Sequence, residues 1–272
     1  MFKLGLSTCG KPVCRDLFEN YQKAGIEAME ITLSREWTEV VDYSILAKYA
    51  KEYNINLWSM HIPFMPFERI DISSTNPEVR DYSVTYASEI VKKVSEFGVD
   101  KFVIHPSGEP IDESERNERM KCAQDSLSKI AQTAEKSQSV IAVENLPRTC
   151  LGRDSDDMIK LTSADEKLRI CFDTNHLLKQ DIVDFIHKVG DKIITTHISD
   201  YDFIDEKHWL PGEGQIDWQK LLQALKDVNY QGAWLYELGF ISKTAQRSRN
   251  LTCEDFSRNA KEIFNNLQLT RV

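Results

Sequence analysis

The chain is 272 residues long and carries 34 Lys+Arg against 43 Asp+Glu, a formal net charge of -9. With 41% hydrophobic residues, 11 Gly and 8 Pro it is not disordered, collagen-like or of low complexity, and it is long enough for one large domain or two small ones. No run of about 20 apolar residues exists to span a bilayer, and the acid excess argues against broad binding to nucleic acid or anionic membrane.

The opening MFKLGLSTCG holds one Lys and a short apolar run, too little for a secretory signal. Cysteines at 9, 14, 122, 150, 171 and 253 form no close pair and suit neither a zinc ribbon nor a disulfide framework. The chain therefore reads as cytoplasmic and reduced, with Cys171 a buried small hydrophobe in LRICFD.

In chain order, short β-branched runs alternate with helical periodicity. KLGLS (3–7) is followed by a helical pattern over 14–24, AMEITL (28–33) by 44–53, and NLWSMH (56–61) by 83–97. In that last stretch Val84, Ala87, Ile90, Val91, Val94 and Phe97 make the stripe and Gly98 the stop. KFVIH (101–105) precedes a helix over 113–136, whose charged start at 113–119 reads as solvated. VIAVEN (140–145) and 155–163 follow, then LRICFD (168–173) and 181–189, and then IITTHIS (193–199). Asp217 is placed to cap a helix over 218–228, and AWLYEL (233–238) with a pattern over 254–266 ends the series. Eight strands alternating with eight helices predict an α/β chain folded as a single (β/α)8 TIM barrel spanning 1–272. A doubly wound sheet would want GxGxxG after the first strand. The chain has STCGK there, and no Walker A sequence anywhere.

Five of the six histidines fall at or just after predicted strand ends: His61, His105, His176, His197 and His208. Only His187 lies inside a helix. Glu144, Asp173 and Glu237 also end strands. A lone histidine is most often a satisfied core residue, but in a barrel these ends converge on one face. Carboxylates crowded there repel by about 4 kcal/mol per pair at ~4 Å. A divalent ion removes that penalty, so one ion (Mn, Zn, Co or Mg) is expected on Glu144, Asp173, His197 and Glu237. His61, His105, His176 and His208 are then substrate contacts, supports for the ligands, or ligands of additional Zn. Glu30 points the same way, either toward substrate or ligands or as a structural pair. Phe64, Phe67 and Trp209 are candidates to wall a pocket, and Arg148 and Lys207 read as solvated surface charges.

The strings SMHIP (59–63), VIHPS (103–107), VEN (143–145), FDTNH (172–176), HISD (197–200), PGEGQIDW (211–218) and YEL (236–238) resemble the xylose-isomerase-like barrel superfamily. That superfamily contains sugar isomerases and epimerases, hydroxypyruvate isomerase, inosose dehydratase and endonuclease IV. The resemblance runs in order from the third to the eighth strand, about two thirds of the chain. In the epimerase branch it implies a metal on Glu144, Asp173, His197 and Glu237, with the two glutamates as acid and base and His176 on a substrate oxygen. His208 stands where those epimerases usually carry Arg, three residues before the Pro of their PGxG loop. In the endonuclease IV branch it implies a trinuclear zinc site of five histidines and four acidic residues. His61, His105, Glu144, Asp173, His176, His197, His208 and Glu237 match eight of the nine, and Glu206 can stand for the last. The net acidity and the acidic loops favour the sugar branch. The expected activity is a metal-dependent sugar or sugar-phosphate isomerase or epimerase working through an enediolate, in carbohydrate metabolism. The alternative is a multinuclear zinc phosphodiesterase. The expected partner is a small sugar, not nucleic acid or a membrane, and a homo-oligomer is left open.

Overall fold

Alternation of one residue in, one residue out sets this architecture. In the computed structural model, which describes residues 2–9 and 11–272, eight short parallel strands carry large apolar side chains outward and small or polar ones inward. The order is β1 (Lys3–Ser7), α1 (Arg15–Ala24), β2 (Ala28–Thr32), α2 (Arg35–Val40), α3 (Tyr43–Tyr53), β3 (Asn56–His61), α4 (Pro77–Ser95), β4 (Lys101–Ile104) and α5 (Arg116–Lys136). It continues β5 (Val140–Glu144), α6 (Ser155–Thr162), β6 (Arg169–Asp173), α7 (Ile182–Val189), β7 (Ile193–His197), α8 (Trp218–Asp227), β8 (Ala233–Tyr236) and α9 (Cys253–Phe264). The strands follow one another in a single sheet running from β7 back to β1 and then β8, the (β/α)8 barrel expected.

The sheet meets itself between β7 and β8 without a regular ladder. Ile198 N–H donates to Leu235 O (2.8 Å), Glu237 N–H donates to Ile198 O (3.2 Å), and the Thr196 hydroxyl donates to Ala233 O (3.0 Å). The main core, which includes Phe18, Phe102, Phe172 and Trp234, lies between strands and helices. The lumen is filled by smaller groups: Ala28, Ala233 and Leu235 against Trp58, and Val103, Ala142 and Cys171 against Ile194.

Two β-bulges decide what the lumen receives. Met29 pairs with Leu57 but Glu30 pairs with Ser59, so Trp58 is an extra residue in β3. Ile170 pairs with Ile193 but Cys171 pairs with Thr195, so Ile194 is extra in β7. An extra residue shifts every later side chain to the other face. Trp58 turns inward, its indole N–H donating to Thr195 Oγ1 across the lumen (3.0 Å), and beyond each bulge Ser59, His61, Thr195 and His197 face inward too.

The helices differ from expectation in two places. The six-residue α2, capped by Ser34, fills the link after β2. Its REWTEV sequence is too short to show a periodicity. The fourth helix starts at Pro77, six residues before the predicted stretch 83–97, because Asn76 caps it and Pro suits a first helical turn. α8 is capped by Asp217 as predicted.

Candidate active site

The inward parity of the strands delivers the polar residues to one place. Ala142 leads to Glu144, Cys171 to Asp173, Val103 to His105 and Leu235 to Glu237, each two residues on. Neighbouring strand ends are level, since Asp173 pairs with His197 and Thr32 with His61.

Glu144 is the hub. Its Oε2 is 3.0 Å from His61 Nε2 and 3.2 Å from His105 Nε2, and its Oε1 is 3.0 Å from His197 Nδ1. His197 Nδ1 is also 3.1 Å from Glu237 Oε2 and 3.9 Å from Asp173 Oδ2. Burial alone would raise the Glu144 carboxyl. The charge of His197 and hydrogen bonds from His105, His197 and His61 outweigh it and hold the group well below the carboxylate range. Against the same burial penalty, His197 brings Glu237 to about 2. Asp173 goes the other way, raised by burial to about 8 despite the charge of His176. Its Oδ2 is buried and has no hydrogen-bond partner.

One oxygen each of Glu144, Asp173 and Glu237 and one nitrogen of His197 lie within 4.8 Å of one another. Three hard oxygens and an imidazole around an orphaned carboxylate oxygen fit a divalent cation. Two further groups could also hold an ion: His61 with His105 and Glu144, and His176 with Glu206 and His208. All eight candidate residues therefore meet at one mouth, and Glu206 joins them. His187 does not, being exposed and 3.7 Å from Asp227.

The motif neighbours hold this arrangement. Asn145 pairs side chain to backbone with Asp173, accepting from its N–H (2.8 Å) and donating to its O (2.9 Å). A carbonyl only accepts, so the bonds to Ile62 O (3.0 Å) and Asn145 O (2.9 Å) place the ring protons of His61 and His176 on Nδ1. Their Nε2 atoms are left for the site. Asn175 Oδ1 accepts from Lys207 N–H (3.0 Å) and anchors the strained turn in which His208 takes φ 51.

Asp200 folds the loop that carries His208. Its buried carboxylate accepts from the N–H groups of Tyr201 (2.9 Å), Gly212 (2.8 Å) and Ile216 (3.1 Å) and from Trp218 Nε1 (3.1 Å). A Cβ on Gly214 would come within 2.3 Å of Asp200 Oδ1, so the loop needs glycine there. Asp200→Ala should lower the unfolding free energy by about 3 kcal/mol in urea denaturation, because three buried donors and one part-buried donor lose their acceptor. An unchanged midpoint would show the loop to be held by other contacts.

A cavity of about 410 Å³ opens over the cluster, walled by Phe64 and Phe67, with the Phe64 ring 3.9 Å from that of His105. Trp209 is not among its walls, contrary to expectation. Its indole is turned away to donate to Thr244 Oγ1 (2.8 Å). Arg148 is no free surface charge either. It binds Glu109 (3.0 Å), Asp205 (2.9 Å) and Glu206 (2.9 Å), tying together the loops after β4, β5 and β7. Lys207 stays outside, 3.6 Å from Asp202. Among the described residues, no Lys or Arg lines the cavity, whereas Glu109, Glu144, Glu206 and Glu237 do.

Residues 18–251 match the xylose isomerase-like TIM barrel family model. The chain belongs to this family. Among its relatives, a D-psicose 3-epimerase of Enterocloster bolteae is 24% identical over 247 residues, covering 82% of this chain and 78% of the relative. Of solved structures, a D-tagatose 3-epimerase-like protein superposes with a TM-score of 0.83 at 22% identity, covering 97% of this chain and 98% of the other. An L-ribulose 3-epimerase superposes at 0.80 and 18% identity, with 98% and 94% covered. At these identities the structural likeness carries the family's fold. No helix among the described residues is long and apolar enough to cross a membrane.

Proposed function

We propose that the chain is a divalent-metal-dependent sugar epimerase or isomerase that moves a proton next to a ketose carbonyl. The observation that carries this is the placement of Glu144 and Glu237. Both line one cavity, and each offers an oxygen to the same four-residue group. The 3-epimerase activity named for the relatives points the same way.

Glu144, Asp173, His197 and Glu237 would hold the cation, which when bound polarises the carbonyl and adjacent hydroxyl and stabilises the charge of an enediolate. The residues supply the rest. Both glutamates are held toward the ionised form, so either can take the proton from carbon, and the other can return one. Return on the opposite face gives an epimer; return at the neighbouring carbon gives an isomer. His176 and His208 reach the cavity at the side of Glu206 and can donate to sugar hydroxyls, while Phe64 and Phe67 exclude water. The test is elemental analysis of the purified protein with deuterium wash-in from solvent into a panel of ketoses. About one tightly held ion and exchange at a single carbon are expected, and no exchange with any ketose would end the proposal.

The acidic, Lys- and Arg-free lining favours a neutral sugar over its phosphate. The unphosphorylated ketose should be preferred by at least about tenfold in kcat/KM, a 1.4 kcal/mol difference in transition-state binding. A preference for the phosphate ester in paired steady-state assays would refute this.

A second reading has one observation in its favour. The groups His61–His105–Glu144, Glu144–Asp173–His197–Glu237 and His176–Glu206–His208 have the composition of a trinuclear zinc phosphodiesterase. Three zinc ions per chain together with cutting of an abasic-site oligonucleotide would favour it over the epimerase.

A further inference from the structure

We propose that Glu30, on β2, is a positioning residue that fixes the His197 ring with Nδ1 turned toward Glu144, Asp173 and Glu237, and so sets how tightly that group holds a divalent cation. The inference rests on the metal-centre reading above.

Glu30 is wholly buried inside the barrel. Among the described residues, His197 is the only basic side chain within salt-bridge reach of it, with Nε2 3.0 Å from Oε1 and 3.1 Å from Oε2. The carboxylate is itself held in place. The Ser59 hydroxyl donates to Oε2 (2.8 Å) and the Thr32 hydroxyl to Oε1 (3.4 Å). Burying a carboxylate without a Lys or Arg partner is costly.

The ring of His197 shows what the carboxylate does. Its Nε2 is turned to the Glu30 carboxylate, away from the four-residue group, and a carboxylate oxygen there accepts the Nε2 hydrogen. Nδ1 faces the other way, with oxygens of Glu144, Glu237 and Asp173 at 3.0, 3.1 and 3.9 Å. A divalent cation among those oxygens would take the Nδ1 lone pair in place of a proton. Three of the other site histidines are turned the opposite way round. His61, His176 and His208 turn Nδ1 to backbone carbonyls, of Ile62, Asn145 and Glu237, and offer Nε2. The strand backbone orients those rings. His197 makes no such bond, and a side chain from a different strand takes over. Because that partner is a carboxylate and not a carbonyl, it also makes the ring a stronger donor to metal.

The experiment uses the full chain loaded with Zn²⁺. A two-bond ¹H–¹⁵N spectrum of the histidine rings should show His197 protonated on Nε2 and bound through Nδ1. Chelator competition should show zinc affinity falling about 10- to 100-fold in Glu30→Gln and several-fold in Ser59→Ala, with the circular dichroism of both unchanged. His197 protonated on Nδ1 in the loaded parent, or both variants binding zinc within twofold of the parent, would overturn the proposal. If Glu30→Gln does not fold, the parent spectrum and Ser59→Ala decide. A parent that binds no divalent ion would defeat the metal-centre reading itself and this inference with it, whereas a zinc-binding parent with indifferent variants defeats the inference alone.

Discussion

Glu144→Gln is expected to lower deuterium exchange into a ketose by on the order of 10³-fold while leaving a folded barrel. The neutral amide removes the charge that the three surrounding histidines stabilise, and with it both the base and one metal ligand. Glu144 ends β5, whose backbone is laddered on both sides, so the loss is chemical and not architectural. Circular dichroism should match the parent, and bound metal measured by elemental analysis should fall. Glu237→Gln should cost a similar factor, and comparing the two by single-carbon exchange would show which glutamate removes the proton and which returns it. Retention of more than about a tenth of the parent rate in Glu144→Gln would remove it from this role.

Chelation has the second largest effect. It should abolish exchange, and adding back Mn²⁺, Co²⁺, Zn²⁺ or Mg²⁺ should restore it. It should also make stability depend on pH with a definite sign. In the metal-free protein burial lowers the His61 and His176 rings, but hydrogen bonding and charge from Glu144 bring His61 to about 9, and the charge of Asp173 with a bond from Glu206 brings His176 to about 10. Groups raised on folding contribute stability that is complete below their unfolded values and disappears as pH climbs through the folded ones. These histidines therefore contribute fully below about pH 6.5 and lose their contribution by pH 9 to 10, while Asp173, raised to about 8, loses its own between about 4 and 8. Glu237, depressed to about 2, contributes above about 4.5 and loses that as the pH falls. The chelated protein should be most stable near about pH 4.5, lose stability slowly up to about pH 6.5 as Asp173 titrates and faster above it, and its Tm should drop by on the order of 5 °C from pH 6 to 9. A bound cation takes the place of those protons, so the loaded protein should lack this drop and metal uptake should release protons. Identical melting curves for chelated and loaded protein across that range would argue against a metal centre.

Much of this was legible in the sequence because a barrel turns position along a strand into position in space. His61, His105, Glu144, Asp173, His197 and Glu237 each close or follow a short apolar run, and the fold brings such positions together. What the sequence concealed was facing. Alternation read through NLWSMH puts Trp58 and His61 on opposite faces, and read through IITTH it does the same for Ile194 and His197; only the bulges bring each pair to the lumen together. Glu30 could be seen to lie level with the others, but its partner is 167 residues away and no spacing rule connects them. Asp200 and Asn175 sit inside recognisable strings, yet most of their bonds are to backbone amides of the loop after β7, which carry no sequence signal. Trp209 and Arg148 were misread for one reason: whether an aromatic or a cation on a loop faces the cavity depends on the path of that loop.

The junction of β7 with β8 gives the site a further role. His197 stands on one side of it and Glu237 on the other, and the bonds from Ile198 and Glu237 that cross it lie immediately beside them. An ion gripped from both sides would act as a rivet across the ring's least stitched edge. Filling the mouth and fastening the cylinder would then be a single equilibrium, visible in the slowed solvent exchange of the amide protons of Ile198 and Glu237.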